Sequence, residues 1–319
     1  MRVVNLIENT EGAAGCAYMH GLSFYIETRG HKLLLDLGPS EETLRNAEKL
    51  GIDLSLVDTV ILSHGHYDHS GGLMAFAKIN PDAVIYMQRT ADGEYYADDG
   101  ERDDRERYRY IGIDKRIADL NQIKIVDGDL KIDDELEILT VKERTYALPF
   151  TNRRLLIKEE SGFVRDDFKH EQFLVIKENG RSVLMSGCAH NGMMNILDAY
   201  KKKYGSVPEV VISGFHLKKK DAYSDEELKE IIEIAKSLKK YATRFITCHC
   251  TGEQAYNVMK NIMGNKLGYV HSGEEINIRF GNKNKENKRR STYMKWHKIF
   301  AWATVVCFIM TMVTGYQKK

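Results

Sequence analysis

The chain has 319 residues, 47 of them basic and 46 acidic, a formal net charge of +1 and a hydrophobic content of 43%. That suffices for one large domain or two small ones, and so balanced a charge argues against a nucleic-acid binder driven by a bulk positive field. Five cysteines (Cys16, Cys188, Cys248, Cys250, Cys307) are odd in number and scattered, which points to reduced cytosolic thiols rather than a disulfide framework, and residues 1–8 hold no apolar run long enough for a signal peptide.

In chain order, Val3–Ile7 reads as a strand and Gly12–His20 as a loop of small residues. Leu22–Glu27 and Lys32–Leu37 read as a hairpin closed at Gly30-His31. Leu44, Ala47 and Leu50 fall on one stripe of a helix over Glu41–Leu50. The apolar run Val57–Leu62 predicts a buried strand, and it leads into His64-Gly-His66-Tyr-Asp68-His69-Ser-Gly71-Gly72, with a helix from Leu73 and a further strand at Ala83–Met87. Strand, helix, strand in this order suits one half of a layered αββα sandwich. Between the strand and the helix stand four metal-ligand side chains within six residues. In an extended segment His64 and His66 point the same way and grip one ion; Asp68 and His69 follow as the chain bends and face a second. Imidazole with carboxylate suits zinc, iron or manganese, and Gly65, Gly71 and Gly72 let the backbone come close. A solvated polar loop or a structural histidine would account for one such residue, less readily for four after an apolar strand.

Residues 88–122 break the pattern. Glu94–Tyr110 is dense in charge and tyrosine without an apolar period, and is expected to be an inserted lid or substrate loop, or a mobile surface loop. Strands resume at Ile123–Val126 and Leu136–Val141. Residues 143–170 are a second irregular stretch, in which Arg153 and Arg154 are candidates to clamp a phosphate or carboxylate, at most one of them if the segment is extended. Phe173–Lys177 and Ser182–Ser186 form a hairpin about Asn179-Gly180. It ends at Gly187-Cys188-Ala189-His190, so His190 repeats the first cluster's setting, a strand, a small-residue turn, a histidine and then a helix from Asn195, and is the expected fifth ligand. Val207–Ser213 is a strand followed by Gly214-Phe215-His216. Glu226–Tyr241 is an amphipathic helix. Arg244–Thr247 is a strand ending at Cys248-His249-Cys250, which makes His249 the candidate sixth ligand; Cys248 and Cys250 are expected to be packing residues, because C-x-C without two further ligands is a weak zinc signal. Ile276–Phe280 closes the fold.

The cluster His64-x-His66-x-Asp68-His69 resembles that of the metallo-β-lactamase superfamily. Met19-His20-Gly-Leu-Ser-Phe-Tyr-Ile26, Leu34-Leu-Asp36-Leu-Gly38, Asn46–Ser55, Ser186-Gly-Cys-Ala-His190 and Gly214-Phe-His216-Leu look like one branch of it, the superfamily II metal-dependent hydrolases that include the archaeal dihydropterin ribofuranosyl-aminobenzene phosphate synthases. The resemblance covers residues 3–280. The branch usually has an acidic residue where Met19 stands. The resemblance implies that Asp36 supports the metal loop, the other reading being a turn-forming Asp, and that His216 is a proton donor, a substrate contact or a core histidine. It also offers a second register, in which His170 is the fifth ligand and Cys188 stands in the place of a bridging Asp. Between His190 and His249 no carboxylate falls at an obvious strand end, so the second metal is expected to be held loosely, or only when substrate arrives.

The tail changes character. Residues 281–298 carry Lys283, Lys285, Lys288, Arg289, Arg290, Lys295 and Lys298 against the one acid Glu286, and Ile299–Tyr316 is 18 residues without a charge. At about 1.5 Å per residue this spans roughly 27 Å, close to the ~30 Å hydrocarbon core. Trp296 and Tyr316 lie where interface anchors belong, and the basic block predicts a single membrane span with the larger domain in the cytoplasm.

Together these features predict an αββα metallo-β-lactamase-like domain over 1–280, a basic linker over 281–298 and a transmembrane helix over 299–316. Two divalent ions (Zn, Mn or Fe) are expected, one on His64, His66 and His190, the other on Asp68, His69 and His249, with a metal-bound hydroxide attacking a small-molecule substrate, and Asp68 and His216 as catalytic groups. A metal-dependent transferase of the synthase type and a non-catalytic metal-binding sensor or scaffold are the alternatives.

Overall fold

The computed structural model of the chain describes residues 1–100 and 107–280. Its first half contains β1 (Arg2–Ile7), β2 (Ser23–Glu27), β3 (Lys32–Leu35), helix α1 (Glu42–Lys49), β4 (Thr59–Ile61), the one-turn helix α2 (Tyr67–Ser70), α3 (Leu73–Ile79), β5 (Val84–Gln88), β6 (Tyr95–Asp98), β7 (Tyr108–Tyr110) and β8 (Ile123–Val126). The second half contains β9 (Leu130–Lys131), β10 (Leu136–Leu139), β11 (Leu155–Glu159), β12 (Gly162–Arg165), β13 (Phe173–Glu178), β14 (Arg181–Met185), α4 (Met193–Tyr204), β15 (Val210–Ile212), α5 (Asp225–Lys239), β16 (Arg244–Thr247), α6 (Glu253–Met263), β17 (Leu267–Tyr269) and β18 (Glu275–Asn277).

Two seven-stranded sheets form, in the orders β18-β1-β2-β3-β4-β5-β8 and β17-β16-β15-β14-β13-β10-β9. Each is antiparallel at one end and parallel where helices cross over: β3–β4–β5–β8 in the first and β14–β15–β16–β17 in the second. Both faces of each sheet are covered. In β2, Tyr25 packs with Ala47 of α1 and Phe76 of α3, while Phe24 and Ile26 on the other side of the pleat are equally buried. In the second sheet Leu184, Val211 and Phe245 pack on α4, α5 and α6 through Ile196, Leu197, Ile231, Leu238 and Met259, while Val183, Met185 and Ile212 are buried on the opposite side. Strands buried on both faces must be near-continuously apolar, which is why these runs stand out in the sequence. Each fully buried side chain of this kind contributes about 1.5–3 kcal/mol.

Local chemistry sets the ends of the elements. Helix α5 opens with a capping box in which the Ser224 hydroxyl accepts from the Glu227 N–H while the Glu227 carboxylate accepts from the Ser224 N–H. Helix α4 stops at Gly205, in the left-handed region at φ 67°. The turn at Asn179-Gly180 has φ 54° and 72°, the sign both central residues of a type I′ hairpin need.

The region expected to be an irregular insertion is different. Tyr95–Asp98 pairs with Tyr108–Tyr110 on one side and with β11 on the other, and β11 pairs with β12, making a third, four-stranded sheet. Tyrosine favours strands through cross-strand packing: Tyr96 lies opposite Tyr110, and Tyr108 stacks on Phe163 at 4.2 Å between ring centroids. Dense charge hid that tendency in the sequence. Arg153 and Arg154 lie on a 3-10 turn, Phe150–Arg154, and not on a strand. Among the described residues no helix is long and apolar enough to cross a membrane; the expected linker 281–298 and span 299–316 lie outside them.

Candidate metal centre

The strands of both sheets deliver their carboxyl ends to one place, the usual location of sites in α/β folds. After β4 come Ser63, His64 and His66, and α2 carries Asp68 and His69. After β14 come Cys188 and His190, after β15 His216, after β16 His249. Four residues at or near these ends have φ values in the left-handed region: Asp36 at 63°, Ala189 at 56°, His216 at 46° and His249 at 51°. Such a φ in a non-glycine residue costs roughly 1–3 kcal/mol and persists where the surroundings impose it.

His64, His66 and His190 come together, with ligand atoms within 4.8 Å of one another. The His64 and His190 Nε2 atoms are 3.3 Å apart. The hydrogens are fixed by what lies behind. The Ser63 hydroxyl donates to Asp36 Oδ2 at 2.7 Å, so its oxygen accepts from His64 Nδ1 at 2.8 Å. The Asn152 amide donates to the His190 carbonyl at 2.7 Å, which turns its oxygen to His190 Nδ1 at 3.0 Å. Both Nε2 atoms therefore present lone pairs to each other, a repulsive contact that a cation between them makes favourable. Burial holds His64 and His190 well below the usual imidazole range and His66 down to about 3, so all three are neutral, the form that binds metal. Nε2 of His66 is buried with no hydrogen-bond partner.

The second group surrounds Asp68. Its Oδ2 lies 3.4 Å from His249 Nε2, 3.6 Å from His69 Nε2 and 3.4 Å from His20 Nε2. The Asn9 oxygen takes His249 Nδ1 at 2.9 Å while its nitrogen donates to the His249 carbonyl at 3.1 Å. His249 is pushed down to about 3 by burial, so its lone pair faces the Asp68 carboxylate, again an arrangement that a cation resolves. Burial would raise the Asp68 carboxyl, but His69, His249 and His20 hold it well below the ordinary range. Asp36 anchors the whole: Oδ1 accepts from the Ser63 N–H at 2.7 Å, and Oδ2 takes the Ser63 hydroxyl and His69 Nδ1 at 2.6 Å. Burial disfavours a charged His69, yet Asp36 and Asp68 raise it to about 9. For His64, His190 and His249 the rear nitrogen is tied to a protein acceptor and the front one left for an ion, the pattern that fixes tautomer and basicity at metal centres; His69, held to Asp36 through Nδ1, gives up its Nε2 proton when a cation binds. The donor set thus fits divalent metal: His20, Asp68 and His249 form one group of ligand atoms within 4.8 Å, and His69 falls with His64 and Cys188.

Between the groups lies Cys188, whose Sγ is 3.2 Å from His69 Nε2. It clusters both with His64 and His69 and with His249 and Cys250. Burial, with Cys250 beside it, pushes its thiol well above the usual range; only a bound cation would make it a thiolate. Cys250 is part of this cluster and not merely packing; Cys248 is buried outside it. His170 stands behind the loop. Its Nδ1 accepts from the Gly65 N–H at 2.9 Å and its Nε2 pairs with Asp166 at 3.0 Å, which leaves neither nitrogen for the His64–His190 group.

Two buried glutamates were not anticipated. Glu171 accepts the N–H groups of His190 and Asn191 at 2.6 and 2.8 Å, and Glu8 accepts that of His249 at 2.9 Å. Each fixes the turn that carries a histidine. The groups open into a cavity of about 520 Å³, whose wall includes His216, Arg109, Arg153, Arg154 and Lys218 to Lys220. The His216 ring is 4.1 Å from that of His190, burial lowers its pKa to about 3, and Nδ1 lies 2.8 Å from Thr151 Oγ1, whose hydroxyl donates to the His216 carbonyl. The lone pair is therefore on Nε2. Arg154 and Arg109 are paired with Asp99 and Lys219 with Glu227.

Fold and site together define a metallo-β-lactamase superfamily protein, and the chain belongs to that superfamily. Its family profile matches residues 19–149. An uncharacterized protein of Methanocaldococcus jannaschii is 30% identical over 280 residues, covering 86% of this chain and 98% of its own. The 7,8-dihydropterin-6-methyl-4-(β-D-ribofuranosyl)-aminobenzene-5′-phosphate synthase of the same organism is 29% identical over 277 residues, 81% of this chain and 89% of its own. Among solved structures, Tm1679, described as a metal-dependent hydrolase of the β-lactamase superfamily, is similar with a TM-score of 0.72 and 28% identity, covering 88% of this chain and all of that one.

Proposed function

We propose that the protein is a metal-dependent hydrolase holding one divalent cation on His64, His66 and His190 and a second on Asp68, His69 and His249. The observation that carries this reading is the opposition of lone pairs, His64 against His190 at 3.3 Å and His249 against Asp68 at 3.4 Å, at the base of one cavity. Bound there, the cations would supply Lewis acidity and a water that ionises at about pH 7 instead of 15.7. Asp68 would accept a hydrogen bond from such a water and orient it, and His216, its Nδ1 held by Thr151, would take that water's proton on Nε2 as the water attacks and pass it to the leaving group as the scissile bond breaks. Metal analysis of the full chain, purified without added metal, tests the reading: about two ions per chain are expected, fewer in His64→Ala and in His190→Ala. One ion in the wild type, unaltered by His190→Ala, would refute the assignment.

Transfer rather than hydrolysis is a second reading. Arg153, Lys218 and Lys220 face the same cavity and form no ion pair with a carboxylate among the described residues, which suits an anionic substrate, and the synthase relative supports it. Turnover of a pterin diphosphate with an arylamine acceptor, against hydrolysis of simple esters and phosphodiesters, separates the two. The uncharged run Ile299–Tyr316 behind its basic block supports a single membrane anchor with the enzyme on the cytoplasmic side; the full chain should sediment with membranes and the chain cut after residue 282 should not.

A further inference from the structure

We propose that His20 is a further protein ligand of the second cation, grouped with Asp68 and His249; the proposal rests on the two-cation reading above. Three imidazole nitrogens surround one oxygen, Asp68 Oδ2: His20 Nε2 at 3.4 Å, His249 Nε2 at 3.4 Å and His69 Nε2 at 3.6 Å. With zinc–nitrogen and zinc–oxygen distances of about 2.0–2.2 Å, tetrahedral neighbours sit roughly 3.3–3.6 Å apart. His20 therefore stands at ligand spacing from the shared oxygen, as His249 and His69 do. Its ring centroid is 5.1 Å from that of His249, and the ligand atoms of His20, Asp68 and His249 lie within 4.8 Å of one another.

The backbone of the loop is built to put it there. Gly21 seats directly on the metal loop: a Cβ at this position would stand 2.6 Å from the Asp68 carbonyl oxygen and 2.4 Å from Pro39 Cδ. Leu22 donates its N–H to that same Asp68 carbonyl at 3.1 Å. The Gly21 N–H reaches Asn9 Oδ1 at 3.4 Å, the atom that also orients the His249 ring. Asn9 thus sets His249 and the His20 loop by one side chain. The His20 ring itself makes no hydrogen bond among the described residues, and about half of its side chain is exposed. A ligand held only by its backbone and open to solvent is an exchangeable one, so an oxygen of an incoming substrate can take its position without disturbing Asp68, His69 or His249.

Titration of the metal-stripped full chain in detergent with Co²⁺, followed by calorimetry and by the visible d–d bands, tests this. The wild type should take up two ions. His20→Ala should keep the affinity of the tighter ion, which also shows that it folds, while the second binds at least tenfold more weakly with an altered d–d spectrum; His20→Asn should behave like His20→Ala. Two ions with the affinities and spectrum of the wild type in His20→Ala would overturn the proposal, leaving His20 as an ion-pair partner of Asp68 and the two-cation reading intact. A wild type that takes up only one ion would overturn both.

Discussion

At Asp36, one buried carboxylate does the work of three contacts: it fixes the Ser63 backbone, the Ser63 hydroxyl that orients His64, and the His69 ring. It thereby reaches into both ligand groups without belonging to either. Asp36→Asn keeps the volume but loses the charge and one acceptor, and should lower metal affinity about 10–100-fold, read by competition with a chelating dye while the circular dichroism stays unchanged. Gly214 has a different role. A Cβ there would lie 2.3 Å from Cys250 Sγ, so Gly214→Ala should destabilise the fold by about 1–3 kcal/mol through overpacking, seen in denaturant melts. The legibility of the site follows the same division. His64, His66, Asp68 and His69 were readable because they stand together after an apolar strand, and His190 and His249 because each follows one. Glu8, Asn9 and Glu171 were not, because their partners are 241, 240 and 19 residues away and a lone buried acid or amide carries no local pattern. Cys188 was visible only within an alternative register, since a thiol in a carboxylate's place breaks the expected spacing.

Elements show where periodicity serves and where it misleads. Helix α5 and the two-faced apolar strands were recovered within a residue or two at most ends, because burial on one stripe or both faces leaves a period. The third sheet was missed: its strands are short, with charges between the tyrosines, and β6 and β11 meet only across a long separation. The hairpin β2–β3 makes a link that is chemical rather than hydrophobic. His31 at its turn pairs through Nδ1 with Asp58 at 2.8 Å and through Nε2 with Asp133 at 2.7 Å, tying β3 to the turn before β10. Burial opposes its charge, but the two carboxylates outweigh burial and raise its pKa. The folded protein thus holds this proton more tightly than the unfolded chain. The stabilisation is complete below the unfolded value of about 6.5 and fades as pH rises through the higher folded value. Urea melts of wild type and His31→Ala should differ most at mildly acidic pH and converge at alkaline pH; a gap that widens with pH would contradict the clamp.

Over the whole molecule the binding of ions and the stability of the fold are coupled. The ligands come from both sheets, and only the folded chain brings them together. At an ion concentration 100 times the dissociation constant the native state would gain about 2.7 kcal/mol per site, so a chelator should lower the melting temperature by about 5–10 °C, and His64→Ala should lose about half of that response. The overall αββα plan was legible because it is written as alternating apolar runs over hundreds of residues. The tie between the first strand and residues 272–277 was not, beyond the closing strand: β18 pairs with β1, and Ser272 exchanges hydrogen bonds with Glu8.

That joining fixes when the centre can exist during biosynthesis. The N-terminal residues Glu8 and Asn9 leave the ribosome early, and so does the cluster from His64 to His69, yet the histidine they hold in place is residue 249. At about 5–20 residues per second, the nascent chain carries a half-built centre for many seconds, with four donors displayed and the second position open. A cation captured in that interval would be held by an incomplete set, without the histidine that Glu8 and Asn9 position.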